Sequence, residues 1–416
     1  MNDQVEPTPA DGTPDAATTT EPAPPANDDQ RWREALRDIS SGHAMVSVLS
    51  IVLAFAVGSI MILATDEQVR SSLGYITARP SDFFQAAWDS VWGAYSSLFQ
   101  GAIWNGDAAT FQGKIRPLTE TLKFAAPLTL AGLGVGLAFR AGLFNIGGQG
   151  QMLMAGAAAG WVGVSMDLPF VIHLPLAILA GMVAGALWAG IVGLLKARTG
   201  AHEVIVTIML NYVAYYLVFF ALSRQALLQA PGSTNPKSAA MPDSVILPKI
   251  LGDSFNLHAG LILALLAVAF VWWLLNSSAM GYRFRAVGEN PDAARAAGID
   301  VGRSYVMVMV IAGALVGLAG VNQVLGTVTS GVASDLDAGI GFDAITVALL
   351  GRSRPLGILA AGILFGALKA GGFVMSVSEG IPIDIVLVIQ SLIVLFIAAP
   401  PLVRAIFRLP QKEATA

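Results

Sequence analysis

Cysteine is absent from the sequence, and charged residues make up only 12% of its 416 residues. Without cysteine the chain has no disulfide, no thiolate ligand for a metal and no cysteine nucleophile. A soluble domain carries about 25% charged residues, so the scarcity of charge indicates that most of this chain does not face water. The formal net charge of −4 argues against nucleic acid as a partner.

Motifs that hold metals or nucleotides are also missing. Four histidines are scattered along the chain, and none belongs to an HExxH motif or to another paired-ligand spacing. No G-x-x-x-x-G-K-[ST] sequence occurs, so the chain cannot cradle nucleotide phosphates in a P-loop. No catalytic group of side chains is visible either. We therefore expect no metal site, no cofactor and no enzymatic activity in this chain.

Hydrophobic residues, at 55% of the chain, gather in long segments with little or no charge. A spanning helix needs about 17–25 predominantly apolar residues, and ten segments come near that length. The segment 338–351 is short, which predicts a half-helix or an interrupted span. The pattern predicts an all-α integral membrane protein with about ten transmembrane helices, one or more of them interrupted. The ten predicted segments are 44–64, 122–139, 146–166, 174–195, 204–222, 259–275, 305–325, 338–351, 356–375 and 383–399.

Positive charge predicts the orientation, because cytoplasmic loops carry an excess of lysine and arginine. With ten spans, the short basic loops fall on one side of the membrane together with both termini, which we therefore expect to be cytoplasmic. The basic residues of that side are Arg31, Arg33, Arg37, Arg140, Lys196, Arg198, Arg283, Arg285, Arg295, Arg303, Arg352, Arg354, Arg404, Arg408 and Lys412. The predicted organisation is a disordered N-terminal tail at 1–40, a transmembrane domain at 41–403 and a cytoplasmic C-terminal tail at 404–416. Within the domain we expect a cytoplasmic loop at 276–304 and long outward loops at 65–121 and 223–258.

The first outward loop carries aromatic residues at near-helical spacing. They are Trp88, Trp92, Tyr95, Phe99 and Trp104. This spacing predicts either an amphipathic element at the membrane interface or an aromatic belt that holds the loop there.

The cytoplasmic loop contains a short predicted helix. Asn290 is a candidate N-cap, Pro291 suits the first helical position, and Gly298 is a natural C-terminal breaker. The helix 292–297 has alanines on its faces and Arg295 protruding. Its shape suits insertion into a cleft of another protein, although an ordinary loop helix would have the same sequence.

The stretch FNIGGQGQ places three neutral amides, Asn145, Gln149 and Gln151, at the start of a membrane helix. Glycine-rich backbone at membrane depth is tolerated only where protein or a water-filled cavity satisfies its amides. Transporters commonly build substrate sites from such interrupted helices. Gln149 and Gln151 point in different directions on a helix, so we expect only one of them to face a ligand. The alternative is that these amides hydrogen-bond between helices.

Further polar or aromatic residues lie inside other apolar segments. Asn211, Asn322 and Gln323 are amides in helix interiors, and Phe342, like Tyr212, could stack a base. Each alone could be a packing contact, but together they predict a polar pathway through an apolar bundle.

Ionisable residues inside apolar segments are few. Asp343, Lys369 and Asp384 are the candidates. Asp343 or Lys369 could serve a proton relay, or either could be a paired structural charge.

Four blocks of the chain together resemble a known family. FNIGGQGQMLMAGAAAG, EVIVTIMLNYVA, FRAVGENPDAARAAGI and GFDAITVALLGRSRPLG are similar, in this order, to the nucleoside and simple-sugar branch of bacterial ABC-importer permeases. The resemblance runs from about residue 120 to 400. Ribose-type members usually carry an acidic DLS sequence where this chain reads FNIGGQG, so the uncharged version is similar to the nucleoside-type members.

The resemblance also gives the short cytoplasmic helix a role. DAARAAG resembles the EAA-x-x-x-G loop of these permeases, with Asp in place of Glu. In the family this segment is the coupling helix that sits in a groove of the ATPase subunit. Asp292, Ala293, Ala294, Arg295 and Gly298 take that role by resemblance, and the exchange of Glu for Asp shortens the reach of the charge.

The resemblance implies a set of partners. These are a separate ATP-binding subunit that holds ATP and magnesium, a second permease chain (this one again or a homologue), an extracellular substrate-binding lipoprotein and the lipid bilayer. The chain would then lie in the plasma membrane of a bacterium and move a small neutral substrate. A simple-sugar permease, an ion-coupled secondary transporter that depends on Asp343 or Lys369, and a non-transporting scaffold remain alternatives.

Overall fold

The computed structural model describes residues 43–408, and the regular secondary-structure elements in this range are all helices. The predicted N-terminal tail, with its three arginines, lies outside the described residues, as does Lys412. The helices are α1 His43–Thr65, α2 Glu67–Leu73, α3 Pro80–Ala102, α4 Phe111–Arg140, α5 Gly148–Ser165, α6 Phe170–Thr199, α7 Glu203–Leu222, α8 Gly260–Ser277, α9 Ala279–Glu289, α10 Pro291–Ala296, α11 Val301–Asn322, a π-helical turn Gln323–Thr327, α12 Ile340–Leu350, α13 Pro355–Glu379, α14 Asp384–Ala398 and α15 Pro400–Ile406.

Each of the ten predicted apolar segments coincides with one of these helices, so the all-α class is confirmed. The number of spans is not. In the described residues seven helices are long and apolar enough to cross a membrane, or eight if α14 and α15, which meet at 94°, form one broken span. Two predicted segments are not apolar enough or not long enough for a membrane-spanning helix. Helix α5 begins with glycines and glutamines, and α12 has only 11 residues. The outward loop predicted at 65–121 contains α2, α3 and the first turns of α4.

Helix α4 forms the centre of the bundle and is buried along most of its apolar length. Its buried leucines and alanines pack among α8, α11, α12 and α13. Gly134 of α4 lies against the backbone of Ala312 in α11, where a β-carbon would collide with a carbonyl oxygen. Small residues allow such close contact between helix backbones in membranes, where dispersion rather than the hydrophobic effect holds helices together.

Helices α6 and α11 show the same packing over a longer distance. Gly181 and Gly185 of α6 lie against Gly313 and Gly317 of α11. A β-carbon on Gly317 would stand 2.8 Å from the carbonyl oxygen of Gly181, and one on Gly185 would stand 2.9 Å from the α-carbon of Gly317. These contacts require glycine at the crossing, which accounts for the small-residue spacing in both helices.

The remaining helices pack around this centre. Helices α1, α3, α13 and α14 share a second apolar cluster that includes Ile62, Leu98 and Ile389. Trp88 and Trp92 of α3 stack on each other, with ring centroids 6.0 Å apart, and both are exposed. The predicted aromatic stretch is helical through Phe99, and Trp104 follows after the end of α3.

Candidate functional site

Two helices begin inside the bundle, and their first turns touch. Helix α5 begins at Gly148 and α12 at Ile340, and a β-carbon on Gly148 would stand 2.6 Å from the carbonyl oxygen of Gly341. Helix α12 has 11 residues, so at about 1.5 Å per residue it is about 16 Å long, or half of a hydrocarbon core of about 30 Å. We call Gly148, Gln149, Asp337 and Gly341 the half-helix junction.

Asn145 and Gln151 hold the chain that enters α5. The Oδ1 atom of Asn145 accepts hydrogen bonds from the Gly147 amide at 3.0 Å and from the Gln151 side chain at 3.1 Å. Both side chains are almost completely buried. They therefore hydrogen-bond to each other and to the backbone at the start of one helix, rather than between two helices.

Asn211 supports the same helix start from α7. Its Oδ1 atom accepts from the Gly150 amide at 2.9 Å, and its Nδ2 atom donates to the Ile146 carbonyl at 3.0 Å. A backbone group without a partner is costly where water is scarce. Asn211 thus satisfies one donor and one acceptor that the interrupted helix leaves open.

Gln149 lies on a different side of α5 and is half-buried. Its Nε2 atom is 3.5 Å from Oδ1 of Asp337, which is 4% exposed. The second carboxylate oxygen of Asp337 has no hydrogen-bond partner in the described residues. Burial raises the pKa of Asp337, and the hydrogen bond from Gln149 and the charge of Lys369 act in the opposite direction. Of the two glutamines, only Gln149 faces an acceptor, the Asp337 carboxylate, that still has an oxygen without a hydrogen bond in the described residues.

Asp337 did not stand out in the sequence. It lies in ASDLDAGIG, a polar turn before the short apolar segment. An acidic residue directly before a predicted half-helix is the signal that could have indicated it.

Asp343 and Lys369 form an ion pair beside the junction. Their charged atoms are 3.2 Å apart, and Lys369 also donates to the carbonyl of Ala338 at 3.2 Å. Each side chain is about a quarter exposed, at 25% for Asp343 and 24% for Lys369. The pair joins α12 to α13, as the structural alternative for these charges predicted.

Asn322 and Gln323 lie at a separate place, where α11 passes into its π-helical turn. Asn322 is fully buried, and neither its amide oxygen nor its nitrogen has a hydrogen-bond partner in the part of the chain described. A β-carbon on Gly260 would collide with Asn322 and with His258, so the three are neighbours. Burial, and then the charge of Lys123, lowers the pKa of His258 to about 4. Single π-helical turns occur frequently at functional sites.

The two aromatic candidates lie on the surface of the chain. Phe342 is 50% exposed and Tyr212 is 60% exposed. Phe342 follows Gly341 directly on α12 and so flanks the half-helix junction, whereas Tyr212 follows Asn211 on α7.

The predicted cytoplasmic helix is α10. The Oδ1 atom of Asn290 accepts from the amides of Asp292 and Ala293, both at 3.0 Å, and Gly298 has φ +82°. The cap and the breaker predicted from the sequence are thus confirmed. Asp292 and Arg295 pair at 2.8 Å while remaining 90% and 66% exposed.

Ala294 is the member of this set that does not face outward. It is 4% exposed and packs in a small cluster with Val287 of α9 and Val301 of α11. Within this chain it anchors α10, and the exposed residues Asp292, Ala293 and Arg295 form the outer face.

Comparison with known proteins gives the family. Residues 118–398 match the family described as branched-chain amino acid transport system / permease component. The chain belongs to this family. No solved structure matches it.

Three curated relatives are similar over much of their length. The chain is 37% identical to the guanosine ABC transporter permease protein of Bacillus subtilis over 373 residues, which cover 89% of this chain and 98% of that protein. It is 34% identical to the nucleoside ABC transporter permease protein of Lactococcus lactis, over 89% of this chain and 94% of that protein. It is 38% identical to the glucose ABC transporter permease protein of Haloferax volcanii, over 67% of this chain and 75% of that protein.

Proposed function

We propose that this chain is the permease subunit of an ATP-driven ABC importer that moves nucleosides across the plasma membrane of a bacterium. ATP hydrolysis then occurs on separate ATP-binding subunits, which hold ATP and magnesium. A second permease chain and an extracellular substrate-binding lipoprotein complete the importer, with both termini of this chain in the cytoplasm. The observation that carries the proposal is the similarity to permeases named for guanosine and nucleosides over 89% of this chain.

The half-helix junction is the proposed substrate contact. Neutral substrates rich in hydroxyl groups need donors and acceptors rather than a net charge. Gln149 offers both, and the free oxygen of Asp337 can accept from a hydroxyl group. We assign Gln149, Asp337 and the neighbouring Phe342 to the substrate pathway. Asn145, Gln151 and Asn211 shape that pathway by holding the start of α5.

Asn322 and Gln323 are proposed as a second polar position on the same route. The unpartnered amide of Asn322 is the reason, because a buried amide normally has a partner. A substrate hydroxyl or a water molecule that precedes it would satisfy this amide during passage.

Helix α10 is the proposed contact with the ATP-binding subunit. Asp292, Ala293 and Arg295 face outward, Ala294 anchors the helix, and Gly298 ends it. Movement of the ATP-binding subunits on ATP binding would push α10, and with it α9 and α11, so that the half-helix junction opens alternately to the two sides.

A sugar substrate is the second candidate, and one observation favours it. The relative named for glucose is as similar in sequence, at 38% identity, although over a smaller share of this chain. Ion coupling through Asp343 and Lys369 has less support, because the two charges are paired with each other.

Uptake of radiolabelled guanosine, in cells that express the chain with and without its ATP-binding subunit, tests the proposal. We expect uptake that needs this subunit, persists with an uncoupler while ATP is maintained, and is reduced by excess unlabelled nucleoside but not by glucose. Uptake by the chain alone that stops with the uncoupler would refute the ABC mechanism. Absence of guanosine uptake, together with uptake of labelled glucose that needs the ATP-binding subunit, would replace the nucleoside with a sugar.

Gly298→Trp tests the coupling contact in the same assay, with Gly252→Trp as the matched control. Both glycines have φ +82°, and a β-carbon on either would have open space around it. The backbone strain is therefore the same, while only Gly298 lies at α10. Uptake should be lost with Gly298→Trp and kept with Gly252→Trp, and equal loss in both would remove α10 from the mechanism.

A further inference from the structure

Three arginines converge at one end of the bundle, away from the half-helix junction. Arg140 ends α4, Arg285 lies on α9, and Arg354 directly precedes α13. They line a cavity of about 570 Å³ together with Trp272, Asn276 and the first turn of α13. We call this cavity the three-arginine pocket.

The positive charge of this pocket is not neutralised by any side chain that the structure describes. None of the three arginines forms an ion pair with an acidic residue in the described range 43–408. The charges of Arg354 and Arg285 both act on Arg140, so the guanidinium groups repel one another. Three like charges held together without a counter-charge indicate a binding site for an anion.

The backbone contributes to the same pocket. Helix α13 has 25 residues, and its first residues, Pro355, Leu356 and Gly357, line the cavity. The amides of Leu356 and Gly357 precede the first intrahelical hydrogen bond of α13, which Ile358 donates to the carbonyl of Arg354. The start of a helix attracts anions through such free amides and through its dipole.

A strained turn fixes the geometry. Arg352 and Ser353 have φ +53° and +50°, in the left-handed region that non-glycine residues rarely adopt. The Nε atom of Arg140 donates to the carbonyl of Ser353 at 3.1 Å, and the Ser353 amide donates to Ala348 at 2.8 Å. The turn thereby holds Arg354 beside Arg140, and strain of this kind clusters at ligand sites.

The rim of the pocket is apolar and faces outward from the bundle. Trp272 is 51% exposed and Leu356 is 64% exposed. Trp272 lies in the last turns of α8, and tryptophan is enriched where a membrane meets water. A cationic pocket with this rim matches a phosphate group that carries acyl chains better than it matches a small free anion.

We infer that the three-arginine pocket binds the phosphate of an anionic phospholipid, whose acyl chains run along Trp272 and Leu356. The phosphate accepts hydrogen bonds from the guanidinium groups and from the free amides at the start of α13. This site is distinct from the substrate pathway proposed above and does not depend on the substrate. Because α9 carries Arg285 and leads into α10, the lipid would also steady the base of the coupling helix.

Retention of phosphatidylglycerol by the full chain, purified with its partner subunits, tests the inference. Arg285→Gln and Arg354→Gln each remove one guanidinium group from the pocket. The matched controls are Arg283→Gln, two residues earlier on the same helix, and Arg352→Gln in the same turn; neither control residue lines the pocket. Near a membrane surface each basic residue adds about 1 kcal/mol to lipid binding. Each pocket variant should therefore retain about fivefold less lipid, whereas the controls retain the wild-type amount.

Three outcomes would overturn the inference. The first is equal retention by the pocket variants and the controls. The second is displacement of the lipid by millimolar glycerol phosphate or inorganic phosphate, which would mean that the site takes a free anion. The third is retention only in the absence of the ATP-binding subunit, which would mean that an acidic side chain of that subunit occupies the pocket. Equal thermal stability of pocket variants and controls ensures that a loss of lipid does not reflect unfolding.

Discussion

The starts of α5 and α10 use the same residue type for the same task in two different surroundings. Asn290 caps α10 alone, through two backbone amides, and the rest of that helix start is exposed. At α5 the cap needs Asn145, Gln151 and a further asparagine from α7, Asn211. Water satisfies the remaining groups of an exposed helix end, whereas inside a membrane protein each group must find a partner in the chain. The buried start therefore needs several side chains and should respond more strongly to mutation.

The largest effect is expected where the buried helix starts touch. In Gly341→Ala the new methyl group would overlap the backbone of Gln149, and overpacking of this kind costs about 1–3 kcal/mol or more. The matched control is Gly339→Ala, where the added carbon has open space and only φ +78° opposes it, at about 1–2 kcal/mol. Thermal unfolding of the purified complex compares the two. If Gly339→Ala were the more damaging variant, the close contact between α5 and α12 would be refuted.

The two capping asparagines come next. Asn211→Ala leaves the Gly150 amide and the Ile146 carbonyl unpaired, and leaving buried polar groups unsatisfied costs about 1–3 kcal/mol. Asn290→Ala removes an exposed cap, for about 1 kcal/mol. Equilibrium unfolding in mixed micelles measures both differences. A smaller loss of stability in Asn211→Ala than in Asn290→Ala would contradict the expected difference between buried and exposed helix starts.

Alanine variants of Gln149 and Gln151 should distinguish an effect on substrate binding from an effect on stability. Gln149→Ala should raise the KM for nucleoside uptake about threefold to tenfold, which corresponds to a lost hydrogen bond of about 0.5–1.5 kcal/mol. Its effect on unfolding should be small, because Gln149 is half-buried and has one long contact. Gln151→Ala should instead lower stability and leave KM nearly unchanged, because its partner is Asn145. The opposite assignment of the two effects would place Gln151 in the substrate pathway.

The smallest expected effect is on the pH dependence of stability, through the side chain of Asp337. Burial raises its pKa in the folded chain, so the folded state holds this proton more tightly than the unfolded state does. The stability contribution is full below the unfolded pKa and is lost as the pH rises through the folded value. Asp337→Asn should remove this part of the pH dependence and leave the protein as stable as, or slightly more stable than, the wild type at neutral pH. A variant that loses stability at neutral pH would mean that the carboxylate is charged and paired.

Local signals account for what the sequence predicted well. Each of the ten apolar segments overlaps one of the fifteen observed α-helices. Asn290, Pro291 and Gly298 gave the start and end of α10, because caps and breakers act within a few residues. The same reasoning identified Asn145, Gln149 and Gln151 as exceptional, since amides are rare in a segment of that composition.

Long-range contacts account for what was missed. Gln149 meets Asp337, 188 residues away, whereas Gln151 pairs with Asn145 only six residues away. The three-arginine pocket joins Arg140 to a turn 213 residues later, whereas the sequence predicted only that these arginines share one side of the membrane. The predicted number of ten spans is not confirmed, because helices such as α12 are too short to cross a membrane alone and their apolar composition does not decide whether they do.

The glycine crossing of α6 and α11 has a mechanical consequence. Gly181, Gly185, Gly313 and Gly317 interlock so closely that a shift of one helix by a single residue would bring a side chain against the opposite backbone. The two helices cannot slide past each other in small steps, and so they move together as one rigid body. A push on α11 during transport would therefore carry α6 along with it, and the pair would move as a unit against its neighbours. The short helices α10 and α12 lie outside this pair, so they can change position while the paired helices keep their register.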